Sequence, residues 1–136
     1  MIKGWENIYV IDQTMSRDEI NALINACDVA VSLHRSEGLG LLCQEVMYFG
    51  KPVIATGWSG NMDFMNENNS CLVSYSMVPV SRYYGVEKGS DMLWADADVN
   101  EAAVYMRRLV DDKEYYSVTS FDFLRSFTQI PTIISR

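Results

Sequence analysis

Short apolar runs alternate with helical patterns along the first part of the chain. Residues 7–11 are aromatic and β-branched and predict a strand. Ser16 and Glu19 then have the spacing of a capping box, and apolar residues at helical intervals predict a helix that continues to Cys27. Residues 28–33 form an apolar run of the length that a buried parallel strand has. These segments predict a strand, a helix and a second strand.

The same alternation continues to residue 74. Apolar residues recur at helical intervals over 41–49, and residues 52–56 predict another buried strand. A further strand is predicted at 71–74. Between these two strands, residues 57–61 are turn formers and lead into a short helix-like stretch at 62–65. Strands and helices in alternation imply a parallel sheet wrapped by helices, which is an α/β fold.

The pattern is weaker after residue 75. Residues 76–95 show no period and contain Pro79, so we expect a long loop there. A helix is predicted over residues 98–111. Its predicted apolar face consists of Val99, Ala102, Ala103, Met106 and Val110.

The tail of the chain is rich in aromatic and β-branched residues. From Tyr115 onward it is assigned no element, and Pro131 would interrupt any helix there. We therefore divide the chain into a domain at residues 1–113 and a tail at residues 114–136.

The composition is that of one folded domain. Of the 136 residues, 49% are hydrophobic and 21% are charged, so the chain can bury a core. The net charge is −7 and the basic residues are scattered, which argues against nucleic acid as a partner. No apolar run approaches the ~20 residues of a membrane span, and the first residues lack a signal-peptide pattern. We therefore expect a cytoplasmic protein.

Three cysteines, Cys27, Cys43 and Cys71, are odd in number and too far apart for a zinc-type pair. Each lies in an apolar run. We therefore expect three buried free thiols and no metal site.

Residues 36–45, Ser-Glu-Gly-Leu-Gly-Leu-Leu-Cys-Gln-Glu, carry the candidate chemistry. They lie where a predicted strand ends and a predicted helix begins, which is the edge at which open α/β sheets bind ligands. Gly38 and Gly40 allow the backbone to approach a ligand, and free amides at a helix N-terminus favour a phosphate. The carboxylates of Glu37 and Glu45 can each accept hydrogen bonds from a pair of hydroxyls. The segment suits a sugar joined to a diphosphate.

Other interpretations of these residues stay open. Two glutamates on either side of a helix start can also have no binding role, and only interact favourably with the helix dipole and increase solubility. His34 and Arg35 can reach a phosphate from the strand end, although a lone loop histidine is often structural. Asp63 can face a ligand or cap its short helix, and residues 12–15 are candidates for contact with a nucleobase.

A glutamate, seven residues and a second glutamate, with Gly-Leu-Gly between them, resembles the signature of family-four (group 1) retaining glycosyltransferases with the GT-B fold. The resemblance covers about residues 5–113. Residues 51–56 resemble the strand that follows in the family, and residues 59–63 resemble its Gly-Gly loop that ends in an acidic residue. Residues 71–73 resemble the next strand, and residues 94–96 resemble a stretch of lipopolysaccharide-type members.

The resemblance implies a role for each part of the motif. Glu37 would contact the hydroxyls of the donor sugar and is the candidate catalytic residue, and Glu45 would hold the nucleotide ribose. With the side chains named above, the candidate nucleotide-sugar-binding residues are Gly38, Leu39, Gly40, Glu45, His34 and Asp63. The implied reaction transfers a sugar from a nucleoside-diphosphate donor, a UDP-, GDP- or dTDP-sugar, with retention. It uses no metal and no cofactor.

The resemblance also implies what the chain lacks. In the family an arginine and a lysine, encoded upstream of the segment at 7–11, clamp the diphosphate, and an N-terminal domain binds the acceptor. We therefore expect a truncated Rossmann-like domain, with a small parallel sheet flanked by helices, that is half of a GT-B fold and inactive alone. The alternative is a non-catalytic nucleotide-sugar-binding or protein-interaction module.

The strands that the resemblance assigns to this chain also predict how it assembles. The family's sheet has the strand order 3-2-1-4-5-6, and the resemblance implies that only strands 3, 4, 5 and 6 are present here. The strand at 28–33 would then have an open edge, which either the segment at 7–11 or another chain covers. We expect a homo-oligomer. A tail that folds back from Tyr115 would instead give a monomer.

Overall fold

The computed structural model describes residues 6–80 and 91–127. Its helices are α1 (Arg17–Ala26), α2 (Leu41–Tyr48), α3 (Val99–Asp111) and α4 (Lys113–Phe127). Its strands are β1 (Ala30–Ser32), β2 (Val53–Thr56), β3 (Cys71–Val73), β4 (Tyr75–Pro79) and β5 (Leu93–Ala97), and one turn of 3-10 helix covers Gly60–Asp63. None of the helices in the described ranges is long and apolar enough to cross a membrane.

Three parallel strands form the central sheet in the order β1-β2-β3. Ala30 lies opposite Val53, and Ile54 lies opposite Cys71. Helix α2 connects β1 to β2, which is the crossover that parallel neighbours require. The α/β class is confirmed, as is the order that the resemblance implies for these strands.

Strand β2 is buried on both faces and separates two apolar clusters. Val53 and Ala55 point to one cluster with residues of α1 and α2, whereas Ile54 points to the other cluster with residues of α3. This alternation follows from the two-residue period of a strand. Helices therefore cover both faces of the sheet, and all four residues of β2 are buried.

The first two helices begin and end as the sequence predicts. The Ser16 hydroxyl accepts from the Glu19 N–H at 3.3 Å, and the Glu19 carboxylate accepts from the Ser16 N–H at 2.7 Å, which confirms the capping box. Helix α2 begins after Gly40, and Gly50 follows its end with φ of 68°. A left-handed glycine after the last turn is the usual way to stop a helix.

The predicted strand at residues 7–11 is wrong. Residues 8–11 form no strand, and Tyr9 is 88% exposed. Strand propensity depends mainly on packing against a neighbouring strand and a core face, and these residues have neither. Among the described residues, the outer edge of β1 therefore pairs with no strand.

The predicted loop at residues 76–95 is also wrong at both ends. Strands β4 and β5 pair antiparallel, with Met77 opposite Ala95, and the part at 81–90 lies outside the described residues. Pro79 ends β4, a position where its missing N–H costs no sheet bond. The pairing joins segments that are distant in sequence, so neither segment carries a clear local signal for it.

Helix α3 is present, but its predicted apolar face is wrong. Ala102 and Leu109 are buried, and Tyr105 packs between them on the same cluster. Four of the five predicted positions are instead exposed, namely Val99, Ala103, Met106 and Val110. The stripe that packs on the residues of β2 and β3 contains fewer apolar residues than the exposed side of the helix.

The tail, which was assigned no element, folds back onto the domain as α4. Tyr115 and Tyr116 pack against the cluster on the α3 side of the sheet, and the Tyr116 hydroxyl donates to the Asp28 carbonyl at 3.0 Å. The Asp112 carboxylate accepts from the Tyr115 N–H at 2.9 Å and so caps the helix start. Pro131 lies outside the described residues.

All three cysteines are free thiols, but only Cys43 and Cys71 are buried. Cys27 is exposed, so its predicted burial is wrong. It is the residue that ends α1, where its N–H donates to the carbonyls of Leu23 and Ile24. In the apolar run that precedes Cys27, the buried residue is Ile24, about one turn earlier in α1.

Candidate functional site

The carboxyl ends of β1 and β2 meet at one edge of the sheet, and the loops that follow them contact each other there. We call residues 33–40 the first loop and residues 57–63 the second loop. The Glu37 carbonyl accepts from the Gly60 N–H at 3.0 Å and from the Ser59 hydroxyl at 2.6 Å. The Ser59 oxygen in turn accepts from the Glu37 N–H at 3.2 Å. The backbone of Glu37 is therefore fixed by the second loop.

The contact between the loops is too close for larger residues. A Cβ atom added to Gly60 would lie 1.8 Å from the Gly38 carbonyl oxygen, so only glycine allows this approach. Ser59 has φ of 81° and ψ of −155°, a region that costs a non-glycine residue of order 1–3 kcal/mol. Its two hydrogen bonds to Glu37 offset part of that cost. Backbone strain of this kind occurs preferentially at functional sites.

The glycine motif lies at the start of α2. Gly40 is buried with φ of 66°, and an added Cβ would lie 3.1 Å from the Asn61 Cβ and 3.2 Å from the Phe64 ring. Gly38 and Leu39 are exposed, and an added Cβ on Gly38 would meet nothing within 4 Å. Among the described residues, no side chain caps the start of α2. Its first amides are therefore available to an anion at the open side of the loop.

The Glu37 carboxylate lies beside this helix start. Its Oε1 atom accepts from the Gly38 N–H at 3.0 Å, and the residue is half-buried. Cys43 is buried nearby, and burial together with the negative charge of Glu37 raises the pKa of its thiol to about 11. The thiol therefore stays neutral at physiological pH and serves packing rather than chemistry.

Glu45 lies one turn into α2, on the outer side of the helix. Its Oε1 atom is 2.6 Å from the Arg17 Nη1 atom of α1. The two side chains border an open cavity of about 340 Å³. The other residues that line it are Asn21, Gln44, Tyr48 and Phe49. Gln44 also donates to the Leu39 carbonyl at 2.8 Å, which connects the cavity wall to the first loop.

His34 ties the two loops together. Its Nε2 atom is 3.0 Å from the Trp58 carbonyl and 3.1 Å from Asn61 Oδ1, which are both acceptors, so Nε2 carries the proton. Its Nδ1 atom lies 3.2 Å from the Ser32 hydroxyl, within hydrogen-bonding distance. Both ring nitrogens are thus used within the protein, which favours the structural interpretation of this residue.

The remaining candidates differ in their surroundings. Arg35 pairs with Asp96 at 2.7 Å and lies 4.7 Å from the centre of the Trp94 ring, so it anchors β5 beside the first loop. Asp63 is exposed at the end of the 3-10 turn. Ser59, not Asp63, occupies the position before that turn, so Asp63 is not its N-terminal cap.

The sequence identified the first loop but missed the residues that hold it. Asn61 is fully buried and donates to the Thr56 carbonyl at 3.0 Å while it faces His34. Ser59 and Arg17 were also not singled out. Nothing local distinguishes these residues from ordinary turn formers or surface charges, because their partners lie 22 to 28 residues away.

The described fold is an α/β domain whose glutamate- and glycine-bearing loops meet at the carboxyl edge of a parallel sheet. A family model described as Glycosyl transferases group 1 matches residues 3–81. That range covers more than half of the chain and includes both loops and all three parallel strands. The chain belongs to the group 1 glycosyltransferase family. No curated protein matches it.

Proposed function

We propose that the chain binds a nucleoside-diphosphate sugar and is the donor-binding half of a GT-B glycosyltransferase that transfers the sugar with retention. The observation that carries the proposal is the uncapped start of α2, framed by Glu37 on the first loop and by Glu45 one turn along. An anion and two sets of hydroxyls find complementary groups in this arrangement.

Each group has a chemical task in the proposal. The first amides of α2 face the diphosphate and stabilise the negative charge that develops as it leaves the sugar. The Glu37 carboxylate accepts hydrogen bonds from the sugar hydroxyls. The Glu45 carboxylate accepts hydrogen bonds from the two ribose hydroxyls through the oxygen that Arg17 does not use. The fixed backbone of Glu37 keeps the sugar contact in place without reorganisation during the reaction.

Transfer also needs an acceptor and a covered site. Gly38 and Leu39 are exposed, so a donor bound at the first loop would stay open to water. We propose that an N-terminal acceptor-binding domain covers this edge, and that the chain by itself transfers no sugar. Steady transfer by the purified chain that is lost in Glu37→Gln would show that no second domain is needed.

Calorimetric titration with UDP, GDP and dTDP tests donor binding. We expect one of them to bind weakly, and Glu45→Gln to weaken it by about 2–4 kcal/mol because the charge-assisted bonds to ribose are lost. Glu114→Gln removes the same charge at the start of α4 and is the matched control. Equal affinity of Glu45→Gln and the wild type would reject the ribose assignment.

The second candidate function is an interaction module built from the same fold. The outer edge of β1 pairs with no strand of the described segments, and Val31 at its centre is 41% exposed. A free edge of this kind favours pairing with another chain, so we propose a homo-oligomer. Light scattering at micromolar concentration tests this, and a monodisperse monomer would mean that the folded-back α4 suffices.

A further inference from the structure

The cavity beside Glu45 contains a cation that the proposed roles do not use. We propose that Arg17 is a donor-binding residue, whose guanidinium meets the negative charge of the diphosphate while it orients the Glu45 carboxylate. This inference rests on the proposed function, because it assigns a further residue to the same site. The cation that binds the phosphates would then be the guanidinium of Arg17, the first residue of α1.

Charge is the reason that such a cation is needed. The sheet edge carries the carboxylates of Glu37, Glu45 and Asp63, and the whole chain has a net charge of −7. A diphosphate that approaches this edge is repelled by Glu37 and Asp63, whereas the charge of Glu45 is compensated by Arg17. The amides at the start of α2 offer only partial positive charge, about half an elementary charge in total. A full positive charge beside these amides strengthens the binding of a diphosphate.

The other cations with described side chains do not border the Glu45 cavity. Arg35 lies on the first loop, but its guanidinium is paired with Asp96 and also stacked on the Trp94 ring. Lys51 precedes β2 and so lies at the opposite edge of the sheet. The remaining basic residues of the helices whose side chains are described, Arg107, Arg108 and Lys113, belong to α3 and α4. Arg17 is therefore the cation that borders the Glu45 cavity.

The geometry leaves Arg17 free to bind an anion. Its Nη1 atom donates to Glu45 Oε1 at 2.6 Å, and within the described part of the chain the guanidinium makes no other hydrogen bond. The side chain is 65% exposed, so its other N–H donors face solvent. A guanidinium has five such donors and matches phosphate oxygens in pairs. One arginine can thus hold the carboxylate and a phosphate at once.

The cavity also leads toward the motif. Gln44 lines it and donates to the Leu39 carbonyl at 2.8 Å, so the cavity wall continues into the first loop. In the proposed arrangement, a nucleotide whose ribose contacts Glu45 extends its phosphates along this wall, between Arg17 and the start of α2. The pair and the helix amides would act on the same phosphates from two sides.

The test compares ligands that differ only in phosphate. The affinities of uridine, UMP and UDP, or of the corresponding series for whichever diphosphate binds best, are measured for the wild type, Arg17→Gln and Arg17→Lys. We expect Arg17→Gln to weaken UDP by about 10- to 100-fold and uridine by less than about threefold, because only the phosphate loses a charge-assisted bond. Arg17→Lys restores part of the UDP affinity, since the charge returns without the paired donors. The salt dependence of UDP binding becomes shallower in Arg17→Gln.

Arg107→Gln is the matched control, since it removes the same charge from α3 and leaves UDP affinity unchanged. Equal losses for uridine and UDP in Arg17→Gln would overturn the inference, because Arg17 would then act only by positioning Glu45. Unchanged UDP affinity would overturn it too.

A wild type that binds none of the nucleotides would refute the proposed function, and a separate measurement then decides the inference. Inorganic pyrophosphate is titrated to millimolar concentration while the Nε–Hε resonances of the arginines are followed by NMR. A shift confined to the Arg17 resonance supports the anion site. Absence of that shift rejects it.

Discussion

Residues 16–73 and residues 91–120 both contain elements that pack on the same sheet, yet they differ in how far local patterns determine them. In the first region, successive segments are also neighbours in space, because β1, α2 and β2 form a β-α-β unit and α1 packs on the same apolar cluster. In the second region, β5 pairs with β4 across the gap at 81–90, and α3 packs on strands placed far earlier in the chain.

Helix α3 illustrates what this difference teaches. It exposes more apolar residues than it buries, so a search for its most apolar stripe selects the wrong side. Helix α1 buries Ile24 against residues of α2 and β2, and Ile24 belongs to the apolar positions that recur at helical intervals in the sequence. Periodicity predicts that a helix forms, whereas the partner surface decides which side is buried.

The largest expected change in stability tests which side of α3 is buried, by substitution of two adjacent residues. Leu109→Ala should lower the free energy of unfolding by about 2–5 kcal/mol, because Leu109 is 4% exposed and its removal leaves a cavity. Val110→Ala, at a position that is 77% exposed, should change it by less than about 0.5 kcal/mol. Denaturant unfolding measures both. The reverse ranking would restore the face that the sequence predicted.

The distinction between local patterns and partner surfaces also explains how much of the fold could be predicted from the sequence. The capping box at Ser16 and the three parallel strands rest on short-range signals, and all are confirmed. The segment at 7–11 has equally strong strand propensity, but it has no partner strand in the described part of the chain, so propensity alone gives a wrong prediction.

The candidate site divides in the same way. The position of residues 36–45 at the end of β1 and the start of α2 followed from the pattern and is confirmed. The bonds that Ser59 and Asn61 make to the first loop could not be predicted, because they depend on how two loops meet after the sheet has formed. The roles of Glu37, Glu45 and the glycines in binding stay predictions.

One buried thiol on each face of the sheet provides a second comparison. Burial raises the pKa of Cys43 from 9.0 to about 11, and burial also raises the pKa of Cys71, whose neighbour Tyr115 has its pKa raised to about 12. The unfolded thiols ionise near pH 9 while the folded thiols stay protonated. Stability is therefore complete below pH 9 and falls as the pH rises toward 11.

The expected loss from Cys43 is up to about 2–3 kcal/mol at pH 11, since each pKa unit corresponds to about 1.4 kcal/mol. Urea unfolding at several pH values between 8 and 11 measures it. Cys43→Ala should be less stable at pH 8 but should lose less stability with rising pH. A slope equal to that of the wild type would show that Cys71 and Tyr115, on the α3 side, dominate the alkaline response.

The glycines of the motif give a smaller effect, confined to the first region. Gly40→Ala should cost roughly 1–2 kcal/mol for the left-handed backbone, and somewhat more for the close Asn61 and Phe64 contacts. Gly38→Ala, with open space around its Cα, should cost less than about 0.5 kcal/mol. Thermal unfolding ranks the two. Equal losses would mean that the first loop is held less tightly than its contacts with the second loop indicate.

The smallest expected effect tests whether local signals have equal weight in both regions. The Ser16 hydroxyl caps α1 through the Glu19 N–H, and the Asp98 carboxylate caps α3 through the N–H groups of Asn100 and Glu101, at 2.9 and 3.1 Å. Ser16→Ala and Asp98→Ala should each cost about 1 kcal/mol, because each leaves helix amides without their capping acceptor. Both losses appear in denaturant unfolding if the two regions unfold together. A loss of stability for Ser16→Ala with none for Asp98→Ala would mean that α3 frays before the sheet unfolds. The packing of α3 on the sheet, and not its N-terminal cap, would then limit the stability of this helix.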